Sequence, residues 1–322
     1  MENSFTRTLH GETHNSIPLW YMRQAGRYLS QYMELRKKMS ILELCHNPVA
    51  ASEISYMAAR ETRADAAIIF SDISIPLEGR GYDLKFEEGR GPVFTTNPTR
   101  DEREKHPAAD AIKEFKKTHG DMPIIGFTGG PFTLFSYLSG EKKEDAKIKL
   151  LKDTEHSMKT LHEISRILEE DAIAQVESGA DAIQIFDSWI GMLGKEMADK
   201  IIREVVSPMI RTIKSRGIPM IYFSTGTSGF FSVLKNTNAD FISMDWAVPI
   251  SEFAGNGIGL QGNLDPDMVK HSPEMAVKEA RKMAESMKEH EKYIFNLGHG
   301  ILPGTDVQTI REISDAVKKV KL

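Results

Sequence analysis

The chain alternates short, wholly apolar runs with longer amphipathic stretches. The runs are Pro18–Met22, Ala66–Phe70, Pro123–Phe127, Ala182–Phe186, Met220–Phe223, Phe241–Met244, Ile258–Gln261 and Tyr293–Leu297, each followed by glycine or polar residues. Runs that stay apolar at successive positions describe parallel strands covered on both faces. Eight of them alternating with helical patterns predict an α/β fold of one distorted TIM-type (β/α)8 barrel. Between the runs, Ser40–Arg63 carries Ile41, Leu44, Val49, Ile54 and Met57 at helical spacing, with Pro48 opening its second part. Asp153–Ser178 and Lys195–Arg216 are the longest helical candidates, the second with a break or kink at Pro208. Pro266–Lys288 and Asp306–Lys321 close the chain, the last with Ile310, Ile313, Val317 and Val320 on one stripe. The glycine-rich, aromatic stretch Glu78–Asn97 predicts a hairpin inserted after the second strand. No internal repeat, low-complexity tract or long linker divides the chain, so a single domain over residues 1–322 is expected.

A barrel of this kind places its chemistry where strands end and loops begin. Read that way, the first run delivers Arg23 and Arg27, the second Ser71 and Asp72, and the third Thr128-Gly129-Gly130-Pro131. The later runs deliver Asp187-Ser188-Trp189, Ser224-Thr225-Gly226, Asp245-Trp246, Gly262-Asn263-Leu264-Asp265 and Gly298-His299-Gly300. Two guanidinium groups four residues apart at the mouth of a strand predict a polyanionic ligand, because arginine stays charged and grips carboxylate or phosphate with a planar fork. In isolation the same spacing describes an ion-paired helix turn. Asp72 is a site candidate or a helix cap, Tyr137 a site hydroxyl or a core aromatic, and Ser188 a ligand contact or a cap. His299 stands between two glycines, which allow a ligand to approach its ring closely.

Composition narrows the ligand. The chain has 322 residues, 40% of them hydrophobic and 27% charged, with a formal net charge of −5. That balance gives no bulk attraction to nucleic acid or anionic lipid, and no apolar run is long enough to span a membrane. The polar start, Met1 to Ser16, lacks the apolar core of an export signal. A single cysteine, Cys45, excludes an intrachain disulfide and a multi-cysteine metal site, as a reducing cytoplasmic setting implies. His10 and His14 have metal-ligand spacing but lie in a polar start without a helical pattern, so no metal site is expected. Ser224-Thr225-Gly226-Thr227-Ser228-Gly229 lacks the lysine and spacing of a phosphate loop, and no dinucleotide fingerprint follows a strand. The site is expected to work without a cofactor.

Several motifs together closely resemble the uroporphyrinogen decarboxylase family. They are Trp20-Tyr-Met-Arg-Gln-Ala-Gly-Arg-Tyr28, Leu42-Glu-Leu-Cys45, Ala66-Ala-Ile-Ile-Phe-Ser-Asp-Ile73, Gly130-Pro-Phe-Thr-Leu134, Gln184-Ile-Phe-Asp-Ser-Trp189, Leu260-Gln-Gly-Asn-Leu-Asp-Pro266 and Phe295-Asn-Leu-Gly-His-Gly300. The resemblance implies a homodimeric, cofactor-free barrel that converts the four acetate arms of uroporphyrinogen III to methyls, giving coproporphyrinogen III for haem. By position in those motifs it implies substrate contacts at Arg23, Gln24, Ala25, Gly26, Arg27, Asp72, Tyr137, Ser188 and His299, with Asp72 and Arg23 catalytic. Ser30 and Asp306 depart from prolines usual in the family, and Ser139–Lys149 is short and highly charged, which bears on loop shape.

A pyrrole is its own electron sink once the ring carbon beside the acetate arm is protonated, so the chemistry asks for an acid and for an anion to steady the cationic ring. The resemblance gives Asp72 the second task. For the first it puts Arg23 forward, although an arginine with a pKa above ~12 needs an unusual environment to donate. His299 titrates in a suitable range, and water is a third donor. Two other functions compete. A corrinoid-dependent methyltransferase needs a His-x-Cys zinc pair, where this chain has Tyr222-Phe223-Ser224. A non-catalytic tetrapyrrole carrier needs only the cleft.

Overall fold

Seven of the eight apolar runs form one all-parallel sheet. The computed structural model describes residues 3–12, 14–23, 26–87, 91–97, 106–140 and 143–322. Its strands are β1 (Ala67–Ile68), β2 (Tyr82–Glu87), β3 (Gly91–Thr96), β4 (Ile124–Gly129), β5 (Ala182–Phe186), β6 (Met220–Phe223), β7 (Phe241–Ser243), β8 (Gly259–Gln261) and β9 (Tyr293–Ile294). The sheet runs β1-β4-β5-β6-β7-β8-β9, and β4, β6, β7 and β8 are buried at every position. The inserted hairpin, β2 against β3 with Tyr82 opposite Thr96, differs in kind: along β2 only Leu84 is fully buried, the pattern of an antiparallel ribbon with a wet face.

The remaining run closes the ring. Phe295 N–H donates to Pro18 O at 2.9 Å and Trp20 N–H to Phe295 O at 3.3 Å on one side. On the other, Asp65 N–H donates to Leu19 O at 2.8 Å, and Leu19 N–H returns to the Asp65 carboxylate at 2.9 Å. Inside the barrel, the fully buried Trp20 indole donates to Gln261 Oε1 at 2.9 Å, and Gln261 Nε2 donates to Gln184 and Ser243, each at 2.9 Å. A buried amide left unpaired costs about 1–3 kcal/mol, so this network pins the first run to β5, β7 and β8.

Helix boundaries follow local chemistry. Ser40 and Glu43 form a capping box at Ile41–Cys45, Asn47 caps Pro48–Glu61, and Asp153 caps Thr154–Glu177. The expected kink near Pro208 is a π-helical turn, Ile202–Val206, between Lys195–Ile201 and Ser207–Lys214. Two expectations are corrected. Pro266–Lys288 is two helices, Pro266–His271 and Pro273–Met287, because Pro273 cannot continue the first ladder and starts the second. The polar start contains a helix, Ser4–His10, capped by Asn3 and held by Phe5 and Leu9 in the core. His14 is tied there by Thr8 Oγ1 at 2.8 Å and Ser16 O at 2.9 Å. Among the described residues no helix is long and apolar enough to cross a membrane.

Candidate active site

The loops after the strands are stitched together around one end of the barrel. Gly130 N–H donates to Phe186 O and Asp187 N–H to Phe223 O, joining the ends of β4, β5 and β6. Thr225 Oγ1 donates to Ser188 O at 2.5 Å, Gly226 N–H to Asp245 Oδ2 at 2.5 Å, and Asn263 Nδ2 to Asp245 O at 2.6 Å. Gly298 N–H meets Leu264 O, Ile301 N–H meets Met22 O, and Arg23 Nη2 reaches Ile68 O at 2.9 Å, which completes the circuit. Two glycines make the joints possible. A methyl at Gly130 would overlap the Asp187 side chain, and one at Gly298 would lie 2.5 Å from Trp246 N. Arg23, Ser188 and His299 therefore stand on one linked rim, and Asp72 adjoins it on the loop after β1, where Ile69 N–H meets Ile125 O of β4.

The two arginines do not share an environment. Arg23 is 7% exposed, its guanidinium 5.2 Å from the Phe70 ring centroid, and its Nε and Nη1 are buried without a partner. Burial lowers its pKa to about 10, and the nearby Tyr28, Tyr32 and Cys45 side chains oppose the fall. Arg27 is exposed, carried outward by the turn in which Gly26, at φ 82°, accepts from Leu29 N–H. The two guanidinium groups expected at the strand's mouth therefore differ in setting: one is buried beside Phe70 and one lies in water. Gln24 and Ala25 lie outside the described residues.

Asp72 opens a tight turn. Its Oδ1 accepts Ser74 N–H at 2.9 Å and Ser74 Oγ–H at 2.5 Å, and neither bond uses Oδ2. Burial raises its pKa while the two Ser74 bonds pull the other way. The buried Cys45 thiol is pushed up to about 12 by burial first and by the Asp72 charge second, and Arg23 opposes the rise. Tyr137, on the Pro131–Ser139 helix, is also raised to about 12, by burial and then by Asp72. Its ring lies 4.6 Å from that of Trp189, so Asp72, Tyr137 and the loop holding Ser188 are neighbours.

Across the rim, Asp187 is fully buried and accepts from Thr133 N–H at 3.0 Å, Thr133 Oγ1 at 2.7 Å and Tyr222 Oη at 2.9 Å. Burial raises its pKa and those donors resist the rise. The half-buried His299 ring packs edge-on to Phe223 at 5.9 Å and Trp246 at 6.3 Å. Burial lowers its pKa and the nearby Asp245 carboxylate opposes this, so the ring is neutral at neutral pH. Sequence reasoning gave no role to Asp187, Asp245 or Trp246. The signal available was position: Asp187 and Asp245 follow directly on an apolar run, and Trp246 stands one residue further on, as Asp72 does. Among the described residues no three His, Cys, Asp or Glu side chains gather as metal ligands.

A closed parallel barrel with a desolvated guanidinium, a half-bonded carboxylate and an imidazole on its C-terminal rim defines the (β/α)8 class, whose sites lie where strands end. A family model described as uroporphyrinogen decarboxylase (URO-D) matches residues 1–320. Proteins named uroporphyrinogen decarboxylase from Picrophilus torridus and Thermoplasma acidophilum are 37% identical over 332 residues and 35% over 335 residues. Those matches cover 98% of both chains in the first case and 99% in the second. The chain belongs to the uroporphyrinogen decarboxylase family. Among solved structures, a methyltransferase from Methanosarcina mazei superposes with a TM-score of 0.78 at 19% identity, over 97% of this chain and 96% of that one. A B12-independent methionine synthase from Shewanella gives 0.62 at 15% identity, over 88% of this chain and 91% of that one. At these identities the likeness is one of fold.

Proposed function

We propose that this chain is a carboxy-lyase that converts the four acetate arms of uroporphyrinogen III to methyls, yielding coproporphyrinogen III for haem biosynthesis. What carries the reading is the family match over nearly the whole length; the strand-end positions of Arg23, Asp72, Ser188 and His299 in the sequence support it. Arg23, Gln24, Ala25, Gly26, Arg27, Asp72, Tyr137, Ser188 and His299 are the substrate-binding set, with Asp72 and Arg23 catalytic. Asp72 accepts hydrogen bonds from pyrrole N–H groups and stabilises the ring as it becomes cationic, an interaction that strengthens toward the transition state. Arg27 and the hydroxyls of Tyr137 and Ser188 hold carboxylate arms, so that each acetate is presented in turn.

Arg23 is the proposed acid. A guanidinium drawn down to about 10 and missing two of its hydrogen-bond partners is a far better donor than one in water. The proton adds to the ring carbon beside the acetate arm, the C–C bond to the carboxylate breaks, and its electron pair flows into the cationic ring as CO2 leaves. A second proton at the arm's carbon gives the methyl, and loss of the first restores the pyrrole. The ring is the electron sink, so the reading calls for no cofactor. It also takes residues 1–322 as one domain, acting as a cytoplasmic homodimer without nucleic acid or membrane.

Anaerobic incubation with uroporphyrinogen III, then oxidation and separation of products by carboxyl count, tests the proposal. Stepwise loss of carboxyl groups is expected, and complete retention overturns it. The methyltransferase alternative predicts stoichiometric zinc in the purified protein, and a tetrapyrrole carrier predicts binding without loss of carboxyl groups.

A further inference from the structure

We infer that Trp246 is a stacking platform for the tetrapyrrole, a specificity residue whose grip matters more with each acetate arm converted to methyl. The inference rests on the decarboxylase reading and adds to it a group that the motif correspondence does not supply. Of the three tryptophans, Trp20 is fully buried in the barrel, Trp189 is half-buried beside Tyr137, and Trp246 is 43% exposed on the rim. Exposure alone would not single it out, since lone apolar side chains are common on protein surfaces; its place beside His299 and its fixed backbone do.

The indole is exposed but its backbone is fixed. Asp245 Oδ1 accepts Ala247 N–H at 3.2 Å, and Asp245 Oδ2 accepts Gly226 N–H. Asn263 Nδ2 bonds the carbonyls of both Asp245 and Val248, and Gly298 packs against Trp246 N. The platform is thus preorganised by the loops after β6, β7, β8 and β9. It also ends a row of edge-to-face rings: Phe127 to Phe186 at 5.5 Å, Phe186 to Phe223 at 5.7 Å, Phe223 to His299, and His299 to Trp246 at 86°. The row leads from the buried Phe127 out to the exposed indole of Trp246.

The chemistry says when that face counts. Each step removes one carboxylate as CO2, takes up one proton and leaves a methyl, so the ligand loses negative charge while gaining apolar surface. Attraction to Arg23 and Arg27 weakens along the series, whereas stacking on an aromatic face does not depend on the arms' charge. Early intermediates are held by charge and late ones increasingly by rings.

The test follows carboxyl counts during anaerobic turnover of uroporphyrinogen III by wild type, Trp246→Ala and Trp246→Phe. In Trp246→Ala, partly decarboxylated products should be released, and the ratio of last-arm to first-arm kcat/KM should fall about five-fold. Trp246→Phe keeps a ring and should restore most of that ratio. An unchanged ratio in Trp246→Ala overturns the inference, as does an equal loss in both variants. A binding measurement does not depend on how well the alanine variant folds: the emission of wild type minus that of Trp246→Phe should be quenched when coproporphyrinogen III is added anaerobically. No quenching overturns the inference. So does a defect that disappears at high protein concentration while light scattering shows Trp246→Ala dissociating, because the indole then covers a subunit contact. Should wild type remove no carboxyl group, the decarboxylase reading itself falls, whereas active wild type with an unchanged ratio in Trp246→Ala removes only the platform.

Discussion

The two sides of the rim handle buried charge in opposite ways. Beside β5, Asp187 has no exposed surface and three donors on its carboxylate. Beside the first run, Arg23 is nearly as buried, yet two of its nitrogens meet nothing, and Asp72 bonds only its own turn, through one oxygen. A buried charge with a full set of partners organises the fold around it. One without them costs stability and is kept where a ligand supplies what is missing. Conspicuous burial of an acid therefore does not by itself mark a site, whereas a buried charge with free bonding capacity leaves room for a ligand.

Asp72→Asn and Asp187→Ala separate the two roles. Asp72→Asn keeps an acceptor for Ser74 but removes the charge, so turnover should fall about a hundred-fold or more while substrate binding and the melting temperature stay close to wild type. Turnover near the wild-type value would end the role given to Asp72. Asp187→Ala orphans the Thr133 N–H, the Thr133 hydroxyl and the Tyr222 hydroxyl, and should cost about 3 kcal/mol in urea denaturation. If its folding stability were unchanged, the contrast drawn between the two sides would disappear.

Arg23 gives a pH signature. With its pKa drawn down to about 10, the guanidinium is charged below that pH and neutral above it, so kcat/KM should fall as pH rises through about 10. An ordinary arginine would hold its charge beyond ~12. Bound carboxylates favour the charged form, so the matching fall in kcat should lie at higher pH. In Arg23→Lys the ammonium starts from a lower reference value and suffers the same burial, which moves the fall in kcat/KM to lower pH. An alkaline limb identical in both proteins would assign it to another group.

Much of this architecture is written locally. Eight apolar runs announce the barrel, and Asp153 and Asp306 act as helix caps where the chain pattern starts a helix. Pro273 shows the limit of periodicity: the apolar stripe continues through Pro266–Lys288, but the backbone cannot. Arg23 and Arg27 show another. Their spacing is plain, yet the positive φ of Gly26 sends one guanidinium inward and the other out, a choice made by the fold. The pairing of Asp187 with Tyr222 joins residues 35 apart, and that of Trp20 with Gln261 residues 241 apart. No single-sequence pattern carries such partners. The site candidates were legible as strand ends, whereas which of them lack partners is a property of packing.

Asp245 belongs to both sides and so gives the finest test, with the smallest expected effect. Its carboxylate accepts Gly226 N–H and Ala247 N–H, as a structural group would, but its charge also acts on His299. Asp245→Asn retains one acceptor oxygen and presents an NH2 where the other stood, so one backbone N–H loses its partner at a cost of about 1–2 kcal/mol. The burial that lowers the His299 pKa remains, while the carboxylate that opposes it is gone. His299 should then protonate at lower pH than in wild type, which its imidazole resonances report in an NMR titration. Turnover at neutral pH should change little, since the ring is already neutral there. A stable variant with an unmoved His299 titration would leave Asp245 a purely structural group. A large loss of turnover would instead mean that His299 works as imidazolium, which would bring it back as the proton donor in place of Arg23.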